Sequence, residues 1–406
     1  MDPKNDSESH PASDALTQGQ EFQTSHVLTV SLAHALNDVY TSFLPPLLPS
    51  LIAKLTLSHT QAGLLAFMQS SPSLLQPVIG HLADRVSLRY FVILLPAAAA
   101  TAMSLLGVAP HYAVVALLVI IAGLSSAGFH ASAPAMAGRL SGWRLGRGLG
   151  FWTVGGYLGY AVGPILVTST VNLLTLKGTP WLAIGGWVGS AILFLRLRGV
   201  ELRPTPSDAG NSWRHGLQGL RPVLIPAVGL TLSRAMAFSA TLTFLPTMLT
   251  SQGIDLWLAG ISLSVLQLAS AGGALLAGSA SDRLGRRVIV FICTFLAALL
   301  ILALVFLQGW LKLPTLIGLG LTMPATYVVL MALIQESCPD NRALATGVLL
   351  SVTFVSESLG AVMLGAMADL LSLTAAFVAS ALLLLVGLPL VVLLPGQRPT
   401  PFQPTT

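Results

Sequence analysis

From residue 26 onward the chain is a succession of long uncharged stretches separated by short polar ones. A helix that crosses a bilayer needs about 20 mostly apolar residues. The pattern predicts twelve such helices: 26–50, 61–83, two within 91–138 that part at the Pro-containing turn Gly107–His111, 148–172, 179–198, 223–250, 257–280, 288–309, 313–335, 343–369 and 373–394. Residues 1–24 are polar and lack the basic start and small-residue cleavage site of a signal peptide, so a disordered tail is expected. Residues 196–222 are rich in Arg, Pro, Gly and Ser and read as a linker. The expected organisation is a tail (1–24), a six-helix bundle (25–198), a linker (199–221), a second six-helix bundle (222–395) and a closing tail (396–406).

Composition agrees with a membrane protein. The chain has 406 residues, 54% of them hydrophobic and 9% charged, with a mean hydropathy of +0.80. A soluble domain carries roughly 25% charged residues. Cys293 and Cys338 give neither a disulfide framework nor a metal-ligand spacing, and no metal or cofactor is expected. The net charge of +5 does not point to nucleic acid; its meaning lies in where the charges fall.

With both termini placed on one side, sixteen Lys and Arg residues collect there. The other side holds Lys54, Lys177 and Lys312, and Arg234 remains inside a predicted span. Positive residues concentrate on the cytoplasmic side of membrane proteins. Both termini and the linker are therefore expected to be cytoplasmic, in a multi-pass protein of the cell's inner (plasma) membrane.

The two halves repeat. The first span ends in FLPPLL, residues 43–48, and the seventh in FLPTML, residues 244–249. The second span exits into GHLADRVSLRY, residues 80–90, and the eighth into GSASDRLGRRV, residues 278–288. Both landmarks recur about 200 residues apart, which implies two similar bundles related by an axis along the membrane normal.

On these residues the chain resembles the major facilitator superfamily over its whole length. The Gly-x-x-x-Asp-Arg loop of that superfamily is present twice. Gly80, Asp84, Arg85 and Arg89 carry the first copy, with Ser87 where the family usually has Gly. Gly278, Asp282, Arg283, Gly285, Arg286 and Arg287 carry the second, more complete copy. Read bottom-up, Asp84 can sit against the positive end of span eleven, just after Arg342, and these loops can latch the halves on the inner side in one state. The alternative is a surface charge cluster that only anchors topology. In span five, Gly155, Gly159 and Gly163 recur every four residues, share a face and let a neighbouring helix approach closely; Pro164 weakens the helix there. This looks like the motif of the superfamily's drug and metabolite antiporters, although plain small-residue packing gives the same pattern.

A narrower resemblance is to the fosmidomycin-resistance group of efflux proteins. It rests on SLAHALNDVY at 31–40, SLLQPVIGHLADR at 73–85, AGFHASAPAMAGRLSG at 127–142 and the Gly-rich fifth span. That group usually has Phe-His-Pro-Glu in span four. Here Phe129 and His130 are kept, while Ala131 and Ser132 replace the Pro and the Glu. Any task of that Glu has to be done otherwise.

Ionisable residues inside a membrane are costly and default to functional hypotheses. Asp38, Arg234 and Glu357 lie in mid-span, joined by the titratable His34 and His130. The resemblance implies that spans one, four, seven and ten line a central cavity. Asp38, with Asn37 beside it and His34 on its face one turn away, is then a candidate for proton coupling or substrate contact; the structural alternative is a hydrogen bond to a neighbouring helix. Arg234 cannot readily lose its proton, so it needs an anion: Asp38, Glu357 or the substrate itself. A guanidinium suits phosphonate, phosphate or carboxylate through paired hydrogen bonds. Glu357 is either a second proton site or gate contact, or a structural carboxyl bonded to polar residues of span two such as Gln69. Tyr40, Trp152, Gln267 and Tyr327 are further candidate cavity residues.

No convergent nucleophile, metal set or phosphate-binding Lys loop marks an enzyme. The expected function is a secondary transporter using alternating access, most simply a monomer that exports a small anionic or zwitterionic drug or metabolite against inward proton flow. The alternatives are a proton symporter importing an organic anion or sugar, and a non-transporting membrane sensor.

Overall fold

The computed structural model describes residues 22–76, 79, 88–200, 213–337 and 342–395. Every regular element among them is helical. Ten helices are long and apolar enough to cross a membrane, and they correspond to the third through twelfth predicted spans.

The first half begins with α1 (Thr24–Thr41), α2 (Leu44–Leu55) and α3 (His59–Ser70), the last running into a 3-10 turn at Ser71–Leu75. It continues with α4 (Leu88–Ser104), α5 (Tyr112–Leu140), α6 (Leu145–Leu174) and α7 (Ala183–Leu197). The second half contains α8 (Trp213–Leu242), α9 (Leu245–Ser251), α10 (Leu256–Leu284), α11 (Arg286–Phe306), α12 (Lys312–Ser337), α13 (Arg342–Leu370), α14 (Leu373–Gly387) and the short α15 (Pro389–Val392).

Two predicted spans are each two helices, and they break at the repeated motif. Pro45 lies in the first turn of α2 and Pro246 in the first turn of α9. A proline has no N–H to give the carbonyl four residues back, and it suits a helix start for the same reason. The carbonyl of Thr41 therefore lacks its helical partner, and Gln69 Nε2 donates to it at 2.6 Å. The turn predicted at Gly107–His111 is where α4 gives way to a 3-10 turn, Leu105–Val108, ahead of α5. In contrast, α8 begins at Trp213, inside the segment read as a linker; its apolar span starts at Val223. The first ten residues of that helix are the polar extension of a span, which hydropathy alone does not distinguish from a linker.

The packing repeats between halves. In the first, α1 lies along α6; in the second, α8 lies along α13. The halves meet through α3 against α13 and α6 against α10. The glycine motif has a specific task in this packing. A Cβ on Gly155 would meet Ser31 O, one on Gly159 would meet Ala35 O and Asp38 Cβ, and one on Gly163 would meet Ser42 Oγ and Val39 O. The bare face of α6 thus lets α1 approach backbone to side, at the level of Asp38. Pro164 sits within α6. At the end of the molecule carrying Lys54, Lys177 and Lys312, one continuous core contains Phe43, Leu44, Leu47, Phe244, Leu245 and Leu249.

Candidate functional site

Among the described residues, the mid-membrane candidates fall into two clusters. One is inside the first half. The other is in the wall between halves.

In the first, α1 carries His34, Asn37 and Asp38, which are 5%, 0% and 1% exposed. His130 comes from α5 and the backbone of Trp152 from α6. His34 Nε2 lies 3.1 Å from Asp38 Oδ2 and 3.2 Å from His130 Nε2. His130 Nε2 is 3.7 Å from Asp38 Oδ1, within ion-pair reach but too long for a hydrogen bond. Asn37 Nδ2 donates to Asp38 Oδ1 at 2.9 Å. His34 Nδ1 faces the carbonyl of Trp152 at 2.7 Å, and His130 Nδ1 faces that of Ser126 at 2.9 Å. A carbonyl only accepts, so these contacts assign the Nδ1 protons as donors, with the Ser126 hydroxyl also 3.2 Å from His130 Nδ1. The indole of Trp152 stacks on His34, with centroids 3.9 Å apart and planes 14° from parallel.

The second cluster lines a cavity of about 380 Å³ built from both halves, a size suited to a small molecule. Arg234 of α8 donates from an Nη to Glu357 Oε1 at 3.1 Å. Ser239 Oγ donates to the backbone carbonyl of Glu357 at 3.1 Å, which ties α8 to α13. Arg234 also lies over the ring of Phe238, 5.6 Å from its centroid. Tyr157, Tyr160, Gln267 and Tyr327 share the wall, as do Thr41, Ser42, Leu44 and Leu242 at the helix breaks.

The anion facing Arg234 is therefore Glu357, not Asp38. Glu357 does not pair with Gln69, whose amide serves the Thr41 carbonyl. Although α13 packs against α3, this carboxylate reaches the cavity. Asp38, His34, Asn37 and His130 are not in the cavity wall; Tyr160 stands within electrostatic reach of both Asp38 and Glu357. Of the further candidates, Gln267 and Tyr327 line the cavity, Tyr40 instead donates to the Leu182 carbonyl at 2.7 Å, and Trp152 belongs to the histidine cluster.

For the loop motifs, Gly80, Asp84 and Arg85 lie outside the described residues. Arg89 donates to the Arg198 carbonyl at 2.7 Å. In the second copy, Asp282 pairs with Arg286 at 2.6 Å, Arg286 reaches Glu336 at 2.8 Å and also Ser281, and Arg287 donates to the Leu394 carbonyl. These contacts join α10, α11, α12 and the end of the chain within one half. Arg283 is exposed. Gly285 has φ +96°, a backbone conformation that favours glycine, and it turns the chain from α10 into α11. A Cβ on Gly278 would meet nothing within 4 Å.

Sequence reasoning missed the contact between halves at the far end. Asp369, at the end of α13, accepts from the backbone N–H groups of His59 and Thr60, each at 2.8 Å. It is also 2.9 Å from His59 Nδ1 and accepts from Thr60 Oγ1 at 2.6 Å. A carboxylate at a helix start is a strong cap. The available signal was an acid at the end of an apolar span, opposite a Ser-His-Thr-Gln helix start.

The family model described as Major Facilitator Superfamily matches residues 30–337. The chain is 25% identical over 376 residues to the fosmidomycin resistance protein of Escherichia coli (strain K12), covering 91% of this chain and 92% of that one. It is 25% identical over 393 residues to the MFS-type transporter YfnC of Bacillus subtilis (strain 168), covering 92% and 93%. Among solved structures, a bacterial homolog of the human lysosomal transporter Spinster, inward-facing and occupied, superposes with a TM-score of 0.78 at 14% identity, over 92% of this chain and 96% of that one. The nucleoside transporter NupG gives 0.72 at 15% identity, over 90% and 98%.

Proposed function

Because the chain belongs to the Major Facilitator Superfamily, and is thus a membrane transporter rather than an enzyme, we propose that it exports a small zwitterionic molecule in exchange for protons. The observation that carries this reading is the Arg234–Glu357 pair at 3.1 Å in the wall of a cavity built by both halves. Twelve spans in two six-helix bundles rock about that cavity, in a monomer of the plasma membrane with both termini cytoplasmic. The repeated helix breaks and the charge asymmetry support this arrangement. The Asp84 loop is read from its sequence as a latch between the halves on the cytoplasmic side in one state of the cycle.

The pair supplies the coupling. Arg234 takes the anionic group of the substrate, which releases Glu357. An unpaired carboxylate in a largely apolar wall is costly, and either a cationic group of the same substrate or a proton removes that cost. Tyr157, Tyr160 and Tyr327 share the wall with this carboxylate, and they are neutral hydroxyl partners. A zwitterion fills both charged groups at once and competes with the proton for Glu357. Competition for one site is what exchange requires, so substrate leaves and a proton enters. The likeness to a protein named for drug resistance supports the outward direction.

A purely anionic substrate reverses the linkage. It binds Arg234 and leaves Glu357 free to take a proton, so anion and proton move together. This symport reading follows from the same closed pair, and one experiment separates the two. In proteoliposomes, an imposed proton gradient should drive zwitterion against the proton flow, and an opposite imposed gradient should reverse it. Movement of anions in the direction of the protons would establish symport instead. No gradient-dependent movement of either class would refute both.

A further inference from the structure

The transport reading uses the cavity wall and leaves the histidine cluster of the first half unexplained. There, both Nδ1 atoms are committed as donors to backbone carbonyls, those of Trp152 and Ser126. Each neutral ring then presents a lone pair at Nε2, and these two atoms point at each other across 3.2 Å. Asp38 adds a carboxylate 3.1 Å from one of them. Three acceptors converge with no donor among them, in a site where Asp38 and His34 are almost wholly buried. Something positive belongs at the centre.

A proton on one Nε2 would satisfy one line of contact. The arrangement offers more than a line. Ligands at about 2.0–2.1 Å from a tetrahedral zinc lie roughly 3.3–3.4 Å from one another; the two edges at His34 Nε2 are 3.1 and 3.2 Å, and the third, from His130 Nε2 to Asp38 Oδ1, is 3.7 Å and would shorten around an ion. The three donor groups all have ligand atoms within 4.8 Å of one another. Each ring donates its remote N–H to a carbonyl, the usual support of a metal-bound histidine. Asn37 occupies Asp38 Oδ1, leaving Oδ2 as the free oxygen. Space is also provided from the third helix. A Cβ on Gly156 would stand 2.8 Å from His34 Nε2 and 3.1 Å from Asp38 Oδ2, so glycine there leaves room for an ion and an exchangeable ligand. His130 keeps a side-chain exposure of 24% and forms the rim of the cluster.

We propose that His34, His130 and Asp38 form a binding site for a divalent transition-metal ion of the zinc type. Two imidazoles and one carboxylate suit Zn²⁺ and its neighbours rather than Mg²⁺ or Ca²⁺, which prefer oxygen ligands. The ion ties α1 to α5 within one half, so it does not bridge the moving halves. It stands apart from Arg234 and Glu357.

The test is binding of Co²⁺ to the full-length, tag-free protein in detergent, read by its visible absorption and by competition with Zn²⁺. The expected result is a saturable four-coordinate Co²⁺ spectrum that Zn²⁺ removes. His34→Ala and His130→Ala should each weaken binding at least about 100-fold, since loss of supporting partners alone costs 10–100-fold. Should His34→Ala fail to fold, His130→Cys carries the test at the partly exposed rim: binding should persist with a new thiolate-to-cobalt charge-transfer band. Absence of a saturable spectrum in the wild type would make the proton the occupant and overturn the site. So would binding that survives in both alanine variants, or a His130→Cys variant with no thiolate band. Because the readout is binding, it stands whether or not the transport reading does.

Discussion

Asp38 and Arg234 lie on the repeated helices α1 and α8, ahead of the breaks at Pro45 and Pro246 but more than a turn apart in register, since the FLP motifs align Asp38 with Ser239 and Arg234 with Ala33. Their surroundings differ in kind. Asp38 looks inward within its own half, toward two histidines and an amide, and is closed off by Trp152 and the glycine face of α6. Arg234 looks across a cavity wall toward one carboxylate, beside tyrosines drawn from both halves. The first is a set of acceptors gathered around a point. The second is a closed pair that a ligand can open. The repeat keeps the helix break, but not the position of the mid-membrane charge, and the neighbouring helices decide what that charge meets.

The largest expected effect breaks the pair. Arg234→Gln leaves Glu357 in the wall without its cation, and removal of one partner of a buried pair costs about 3–5 kcal/mol. Thermal unfolding in detergent should show a large loss, and exchange driven by a proton gradient should vanish. The double variant Arg234→Gln with Glu357→Gln should regain most of the stability and none of the coupling. Coupled transport in the double variant would move the proton path elsewhere.

Asp38→Asn sharpens the contrast. It replaces the carboxylate beside His34 with an amide that supplies a donor, at a cost of about 1–3 kcal/mol for the disturbed buried partners. Stability should fall, yet a proton gradient should still drive transport, whereas Glu357→Gln should uncouple it. The opposite outcome, with Asp38→Asn uncoupled and Glu357→Gln coupled, would transfer the proton from the wall to the histidine cluster.

Gly159→Ala probes the surface that isolates the cluster. The added Cβ would stand 2.8 Å from Asp38 Cβ and 2.5 Å from Ala35 O, so α1 has to move away from α6. Overpacking of this kind costs about 1–3 kcal/mol, at the low end where helices can shift. Gly150→Ala on the same helix meets nothing within 4 Å and should be neutral or stabilising by about 0.5–1 kcal/mol. Equal melting temperatures for the two variants would deny the glycine face its packing task.

How far the sequence carried differs between these regions. Periods of apolar residues identify helices because the bilayer demands about 20 of them in a row, and ten of the predicted spans contain a helical stretch long and apolar enough to cross. The prolines of FLPPLL and FLPTML announced a landmark, and the missing N–H explains why it is a break rather than a straight span. The polar start of α8, from Trp213, was hidden because it lies outside the apolar stretch that defines a span. Mid-membrane charges identified Asp38, Arg234 and Glu357, yet their pairing depends on which helix faces which. His34 and His130 are 96 residues apart, so no local spacing could announce two convergent Nε2 atoms. Gln69 illustrates the same limit: its partner is a carbonyl freed by a proline in another helix.

The contact that joins the halves far from the termini offers the smallest effect and the most direct view of motion. Asp369 presents both oxygens to the start of α3, taking two backbone N–H groups and the Thr60 hydroxyl, with His59 Nδ1 at 2.9 Å. Asn at this position keeps one acceptor and turns an NH2 toward a donor, while removing the charge that the helix start favours. The loss is that of a helix cap, about 0.5–2 kcal/mol, and it falls only on the state in which these two helices touch. A change of 1.4 kcal/mol is about tenfold in an equilibrium. Asp369→Asn should therefore raise opening at this end by about 2- to 30-fold, read as faster labelling of Thr41→Cys in the cavity wall by a reagent confined to that side. An unchanged labelling rate would mean that the apolar core around Phe43 and Phe244, rather than the cap, holds this end closed.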